Sequence, residues 1–486
     1  MQLHPFSIPY RAGESVVRLA WVLVLLVIGT PQISGAEGVG VLVVVWFVAA
    51  LAYQLVYYQR FAYELTEDTL DIASGVVSRR KREIPLRRVQ NVDIRRNVVQ
   101  RMLGIAQIDL ETAGGSSTEA SLKYVSHDEA RRLQAEIGRR KRGDEPDAEP
   151  AESSELFAIT SKELVLLGIV GIDLRLLSFV TVLLPVIAPS LREQFADPLL
   201  GLAVTAPFIA LALVVAVAAV GGLFAVANYY GFRLSRSADE LHYERGLLQR
   251  YSGTIPVEKV QTLTISENVL ARRLGYGSLA VETAGYAPGE GGSQSAVPLA
   301  ERDRVLSLAR SVEPFGEPTL ERPPKRARRR YAIRYVAVAV IAVTTAYTVD
   351  RFTGLAFAWY VALGLVPLAA VAAHLKWRHL GYAVGENYAI LREGFWTRTT
   401  IVVPHYRVQT ILDSQTIFQR RWQLATLVVD TAGTNGLTGR NPRALDIDAT
   451  TADELRETVA DRLQIELRRR KDQRRKERLA SIEAAE

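Results

Sequence analysis

The side chains best suited to chemistry in this chain of 486 residues are a glutamine and a threonine that recur in three copies, and a concentration of arginine and lysine. Gln90 with Thr112, Gln261 with Thr283 and Gln409 with Thr431 could form a shared polar ligand site. Strand and turn positions give them a second role, hydrogen bonding to backbone, and that structural role is the expected one. Arg79, Arg80, Lys81, Arg82, Arg87 and Arg88, with Arg95 and Arg96, could attract an anionic lipid surface, each exposed charge contributing about 1 kcal/mol. The same charges could do no more than set membrane topology.

Other chemistries lack their residues. With no cysteine there is no disulfide and no thiolate metal site. The six histidines, His4, His127, His242, His374, His379 and His405, are scattered, and neither HExxH nor a GxxxxGK[ST] phosphate loop occurs. No carboxylate pair, nucleophile with base or metal cluster recurs among the copies, so no catalytic residue, cofactor or metal is assigned and the protein is expected not to be an enzyme. The stretch LRRRKDQRRKERLASIEAAE reads as a charged helical tail; nucleic acid is not an expected partner.

The elements that carry these residues are copied units. RVQNVDIRRNVVQRMLGIAQIDLETAG (88–114) is answered by KVQTLTISENVLARRLGYGSLAVETAG (259–285) and by RVQTILDSQTIFQRRWQLATLVVDTAG (407–433). Whole modules were therefore repeated. Each block follows two apolar stretches, and six segments are near the roughly 20 residues a bilayer span needs: 16–34, 39–58, 172–191, 199–227, 332–349 and 355–375. Asp173 and Arg175 fall at the edge of the third, which leaves 161–171 as a short amphipathic surface helix, or else they form an intramembrane ion pair. Lys and Arg are sparse between the members of each pair and abundant after it, as in SRRKR (78–82) and KRARRR (325–330). The expected protein is a multi-pass cell-membrane protein with both termini and all three blocks cytoplasmic.

Within a block, Ala106, Ile108 and Leu110 alternate with Gln107, Asp109 and Glu111, the pattern of a half-buried antiparallel strand. Two further strands upstream break at Gly75, Gly246 and Gly394. NVVQRMLG predicts a short helix capped by Asn97 and ended by Gly104; Asn268 and Gly275 repeat this, whereas Thr416 and Gln423 predict a different end in the third copy. A closing amphipathic helix places Ala130, Leu133 and Ile137, then Val305, Leu308, Ala309 and Val312, then Leu455, Val459 and Leu463 on one stripe.

Paired spans followed by Pro-x-x-x-Val-Gln, QRxLG and TAG resemble the bacterial pleckstrin-homology family of membrane-flanked proteins, the YdbS/YdbT-like group. The signature is Pro85, Gln90, Arg101, Gly104, Thr112 and Gly114; Pro256, Gln261, Arg272, Gly275, Thr283 and Gly285; and Pro404, Gln409, Arg420, Thr431 and Gly433, with Trp422 and Gln423 replacing Leu-Gly. The resemblance implies a PH-like fold, a bent antiparallel barrel with a C-terminal helix plugging one end, and no established reaction.

The expected fold class is thus an α+β membrane protein with six transmembrane helices in three pairs, each pair followed by a cytoplasmic PH-like barrel. Its divisions are a first pair (16–58), a first module (60–142), a linker (143–160), a surface helix and second pair (161–230), a second module (231–312), a linker (313–330), a third pair (331–376), a third module (380–466) and a tail (467–486). The expected function is a non-catalytic membrane scaffold that binds lipid headgroups, a protein partner or its own kind. The alternative is a six-helix transporter or toxin-protection protein controlled by the modules.

Overall fold

The computed structural model describes residues 3–15, 36–112, 120–142, 153–171, 198–237, 239–283, 293–353, 359–433 and 441–483. The chain divides into two compact units, 1–158 with 227–258, and 159–226 with 259–486.

In the first unit a helix over 7–15 precedes α1 (Ala36–Arg60). Strands β1 (Ala62–Leu65), β2 (Thr69–Ser74) and β3 (Arg80–Pro85) form a small antiparallel sheet. The chain then runs through β4 (Val89–Asn97), α2 (Val98–Met102), β5 (Ile105–Thr112), β6 (Ala120–Ser126) and α3 (His127–Arg142). Leu70, Ile84, Ile108, Leu110 and Leu122 from the two sheets enclose one core with Ala130, Leu133 and Ile137 of α3. Helix on sheet is how a small module removes its apolar face from water. The unit also holds β7 (Ser153–Ala158), β8 (Arg233–Ser237), β9 (Glu240–Arg245) and β10 (Gln249–Pro256), and these join β4 in a seven-stranded sheet of order β6-β5-β4-β10-β9-β8-β7.

The second unit holds α4 (Ser161–Val170) and most of α5 (Pro198–Tyr229), followed by β11 (Val260–Asn268), α6 (Val269–Leu274), β12 (Tyr276–Thr283), β13 (Ser293–Glu301) and α7 (Arg302–Val312). Then come α8 (Lys325–Thr353), α9 (Leu365–Arg378), β14 (Gly381–Val384), β15 (Tyr388–Glu393), β16 (Thr397–Pro404), β17 (Val408–Ser414), α10 (Ile417–Arg421), β18 (Leu424–Thr431), β19 (Arg443–Asp448) and α11 (Ala449–Glu483). One sheet has the order β13-β12-β11-β16-β15-β14, another β17-β18-β19. Leu391, Val403, Leu427, Val429 and Ile447 share a core with Ala452 and Val459 of α11.

The two units repeat one joint. The first strand of a module's second sheet pairs with the third strand of the next module's first sheet, β4 with β10 and β11 with β16. The register is the same, since Asn97 faces Gln249 and Asn268 faces Thr397, each pair occupying the matching repeat positions.

The expectation of six transmembrane helices is corrected. Among the described residues one helix is long and apolar enough to cross a bilayer, Lys325–Phe352. The last expected segment is interrupted by a 3₁₀ stretch, Trp359–Gly364, ahead of the 14 residues of α9. The segments 16–34 and 172–191, with Asp173 and Arg175, lie outside the described residues.

Helix α4 starts on a capping box between Thr160 and Glu163. It is not amphipathic as expected, because Leu167 and Val170 are buried while Val165 and Ile169 are exposed. Gly168 and Gly222 let it lie backbone to backbone against α5, a small-residue contact.

Local signals fare well. Gly75, Gly246 and Gly394 have φ of 115°, 106° and 90°, which L side chains rarely adopt. Asn97 caps α2 with a reciprocal bond to Gln100, and Asn268 caps α6. The third copy ends like the others, with Gln423 at φ 51° where Gly104 and Gly275 have 66° and 77°. A side chain there is strained, so Gln423→Gly is expected to stabilise the protein by about 1 kcal/mol, read as a raised thermal midpoint in detergent.

Candidate anion cleft and membrane-proximal turns

The recurring signature resolves into backbone geometry. Val89 faces Thr112, Val260 faces Thr283 and Val408 faces Thr431, and in each copy the register shifts at the next residue, which is Gln90, Gln261 or Gln409. The glutamine is the extra residue of a β-bulge, a device that bends a strand and re-aims its side chains. Gln261 is buried and donates to the Lys259 carbonyl at 3.1 Å, whereas Gln409 is exposed. The side chain of Gln90 lies outside the described residues, as do Gly114 and Gly285. Thr112, Thr283 and Thr431 are buried at strand ends. Nothing in this arrangement gathers glutamine and threonine around a common ligand space.

Pro85, Pro256 and Pro404 end a strand and start a 3₁₀ turn, where the ring's fixed φ suits the chain. In all three copies the next residue donates its amide to a turn carbonyl: Leu86 to Asp68 at 2.8 Å, Val257 to Asp239 at 2.8 Å and His405 to Asn387 at 2.9 Å. The signature arginine reaches outward. Arg101 donates to the Leu247 carbonyl at 2.7 Å and Arg272 to the Phe395 carbonyl at 3.1 Å, so each clasps the hairpin turn that follows the next module's second strand. Arg420 is exposed and makes no such bond among the described residues. Gly433 sits where a Cβ would press on the Glu282 side chain.

Those hairpin turns lie against apolar helices. The Val76 carbonyl accepts from Arg60 at the end of α1, at 2.7 Å. Leu247 donates to Ala227 near the end of α5 at 2.7 Å, and the Phe395 ring meets His379 beyond α9 at 5.4 Å. Each turn ends in an exposed apolar side chain, Val77 (96%), Leu248 (58%) or Trp396 (66%). Met102, Leu274 and Phe418 on the neighbouring short helices are exposed as well. A copied set of bare apolar tips beside apolar helices is the surface expected where a protein touches a membrane.

The electrostatic feature of the first unit lies two residues from such a tip. At the β4–β10 joint Arg96 faces Arg250, like charges directly opposed across two strands. Arg131 and His127 of α3 join them in a small cleft completed by Ile94, Glu244 and Ser252. Glu244 is the one carboxylate, bonded to Arg250 at 3.0 Å and 3.8 Å from Arg131, and Arg96 has no ion-pair partner among the described residues. The Nδ1 atom of His127 is buried with no hydrogen-bond partner there. Burial, then Arg96 and Arg131, hold the His127 pKa below its ordinary value; burial, then Arg250 and Arg131, lower that of Arg96.

The second unit shows the same joint with the charge reversed. Glu267 stands where Arg96 does, faces Arg398, and holds it at 2.6 Å with Arg302 at 3.4 Å. One carboxylate there bonds two guanidinium groups, with Arg392 beside them where the first joint has Glu244, so the single carboxylate of the joint sits on opposite strands in the two copies and leaves Arg96 unpaired in the first among the described residues.

Residues 15–141, 177–314 and 333–463 each match the bacterial PH domain. The chain belongs to the bacterial PH domain family. It is 25% identical to UPF0699 transmembrane protein YdbT of Bacillus subtilis (strain 168) over 88% of this chain and 91% of that protein. No solved structure matches.

The basic residues expected to touch lipid are placed apart from the cleft of this PH domain protein. Arg79, Arg80, Lys81 and Arg82 are exposed on and beside the edge strand β3, and Arg87 and Arg88 on the turn after it. None lines the cleft, and Lys81 pairs with Glu83 at 3.1 Å. The cleft itself requires two distant segments. Its signal in sequence was the exchange of Glu267 for Arg96 at one position of the repeat, with Arg250 and Arg398 constant at the other.

Proposed function

We propose that the protein is a non-catalytic membrane scaffold whose bacterial PH modules face the cytoplasm and whose first module binds phosphate-bearing anionic headgroups. The observation that carries this reading is the cleft of Arg96, His127, Arg131 and Arg250, two residues from the exposed tip Leu248. Opposed like charges destabilise a sheet unless an anion lies between them. The apolar tips fix depth in the interface, and the basic residues of β3 add long-range attraction to an anionic leaflet. The relative's printed description as a transmembrane protein supports placement in the membrane, as does the apolar helix Lys325–Phe352.

The test uses the full chain in nanodiscs, titrated with a soluble short-chain anionic phospholipid and with a zwitterionic one. Arg96→Glu puts a second carboxylate into the cleft beside Glu244 and is expected to lower affinity for the anionic lipid about 10 to 100-fold, through lost attraction of about 1.4 to 2.8 kcal/mol, with zwitterionic binding unchanged. Equal binding by wild type and Arg96→Glu would overturn the assignment.

The pH dependence has a definite sign. His127 is mainly neutral in the empty protein at pH 7.5, and an anion in the cleft favours its protonated form. Affinity is therefore expected to rise as pH falls from 7.5 to 5.5, by several-fold in wild type and far less in His127→Gln. Stability moves the other way. The unfolded chain binds this proton more readily than the folded one, so stability contributed by neutral His127 is lost as pH falls through its unfolded value near 6.5.

A further inference from the structure

We propose that copies of this protein join end to end by strand pairing, β17 of one copy on β3 of the next. Within the chain one joint is built twice, β4 with β10 and β11 with β16, in the same register and with the same arginine clasp. Each joint consumes the first strand of a second sheet and the third strand of a first sheet. Among the described residues two strands of these kinds have no such partner: β3 pairs only with β2, and β17 only with β18.

Burial marks β17 as the uncovered member of its set. In β11, covered by β16, Gln261, Thr262, Leu263 and Ile265 are buried; in β4, covered by β10, so are Asn91, Val92, Asp93 and Ile94. At the matching places of β17, Gln409, Thr410 and Asp413 are exposed and Ile411 is half-buried, with Leu412 at 50%. Unpaired edges of this kind are templates for another strand. A bare edge alone does not choose its occupant; register does.

Carrying the shared register forward sets Thr416 opposite Ser78, Asp413 opposite Lys81 and Arg420 within reach of the Val76 carbonyl, which has a second lone pair beside its bond from Arg60. Inside the chain the place of Asp413 and Lys81 is filled by Ile94 with Ser252 and by Ile265 with Thr400, which are not charged. Only at the two ends does a carboxylate meet an ammonium. The pair suits water while the edges are apart and attracts when they meet. Because the two surfaces differ, the contact is heterologous and adds copies in a row or a ring.

The chain has no cysteine, which makes the test direct. Full-length Asp413→Cys and Lys81→Cys chains with different tags are co-expressed and their membranes oxidised. A disulfide-linked heterodimer is expected, none from either variant alone, and a ladder of multimers from the doubly substituted chain. Ile265→Cys with Thr400→Cys, its counterpart at the internal joint, is the positive control for folding and reactivity. No heterodimer while that control forms would overturn the proposal, as would Asp413→Cys pairing with itself or closure within a single chain. Without cysteines, co-purification of two tagged copies is expected to fall about fivefold or more when both carry Asp413→Lys and to return when both also carry Lys81→Asp. A failure of both arms would sink the idea and leave the headgroup reading untouched, since Arg96 and His127 take no part.

Discussion

Asp446→Ala is expected to remove about 3 to 5 kcal/mol of stability and to lower the thermal midpoint in detergent by several degrees. Asp446 is 4% exposed on β19 and accepts bonds from Arg330 and Tyr331 at the start of α8 and from Gln419 of α10, the last at 2.8 Å. Removing the carboxylate leaves the largely buried Arg330 guanidinium without its counter-charge, and three donors lose one acceptor together. Asp446 also has φ 53°, a backbone state that aspartate tolerates better than most residues and alanine poorly. Asp446→Asn keeps the shape and one oxygen, and should recover part of the loss. A midpoint for Asp446→Ala within one degree of wild type would show that this cluster contributes little.

The second large effect is expected from Gly253→Val. Gly253 lies on β10, where a Cβ would come 2.5 Å from the Tyr243 hydroxyl and overlap Oδ1 of Asp93, both side chains being buried. Asp93 accepts from Asn91 at 3.0 Å, and Tyr243 donates to it at 3.4 Å. Burial and then Asp93 raise the Tyr243 pKa well above its usual value, which keeps the phenol a donor at every working pH. Valine has to push this group aside or part β4 from β10, at a cost of about 3 kcal/mol. Limited proteolysis across 246–258 reads the result, since a loosened β10 is cut faster. Cleavage no faster than in wild type would contradict the close packing inferred here.

Residues that act through their neighbours in sequence were legible. Asn97 and Asn268 announce helix starts, and Gly75, Gly246 and Gly394 announce turns, because a cap or a positive φ is a local requirement. The stripes of Ala130, Leu133 and Ile137 and of Val305, Leu308, Ala309 and Val312 are buried as their spacing predicts. Alternation misled at Asp109, which is buried on the polar side of β5 with Arg95 at 3.1 Å and Gln107 at 2.8 Å. Period two marks which face a side chain is on, and it says nothing of what covers the second face. Gln423 took the place of glycine because the turn is set by the sheet around it. The apolar runs were readable as composition, whereas the break at Trp359–Gly364 was not, because a helix is interrupted by packing and not only by hydropathy.

The joints between strands were beyond reach of local reading. Nothing near Arg96 tells that Arg250 will face it, and that pairing creates the cleft. The repeat offered the remaining clue, a position that changes sign between copies while its partner does not.

The β4–β10 joint also sets a timetable for synthesis. Asn97 leaves the ribosome about 150 residues before Gln249, its partner across the joint. At about 5 to 20 residues per second, β4 waits roughly 8 to 30 seconds with its edge bare. During that interval α1 and the first core can form, yet the strand that completes the sheet does not exist. A nascent chain in this state is open to holdase chaperones and to pairing with neighbouring nascent chains on the same message. Slow codons between 97 and 249 would lengthen that exposure, so the coding sequence of this stretch bears on yield as directly as its amino acids do.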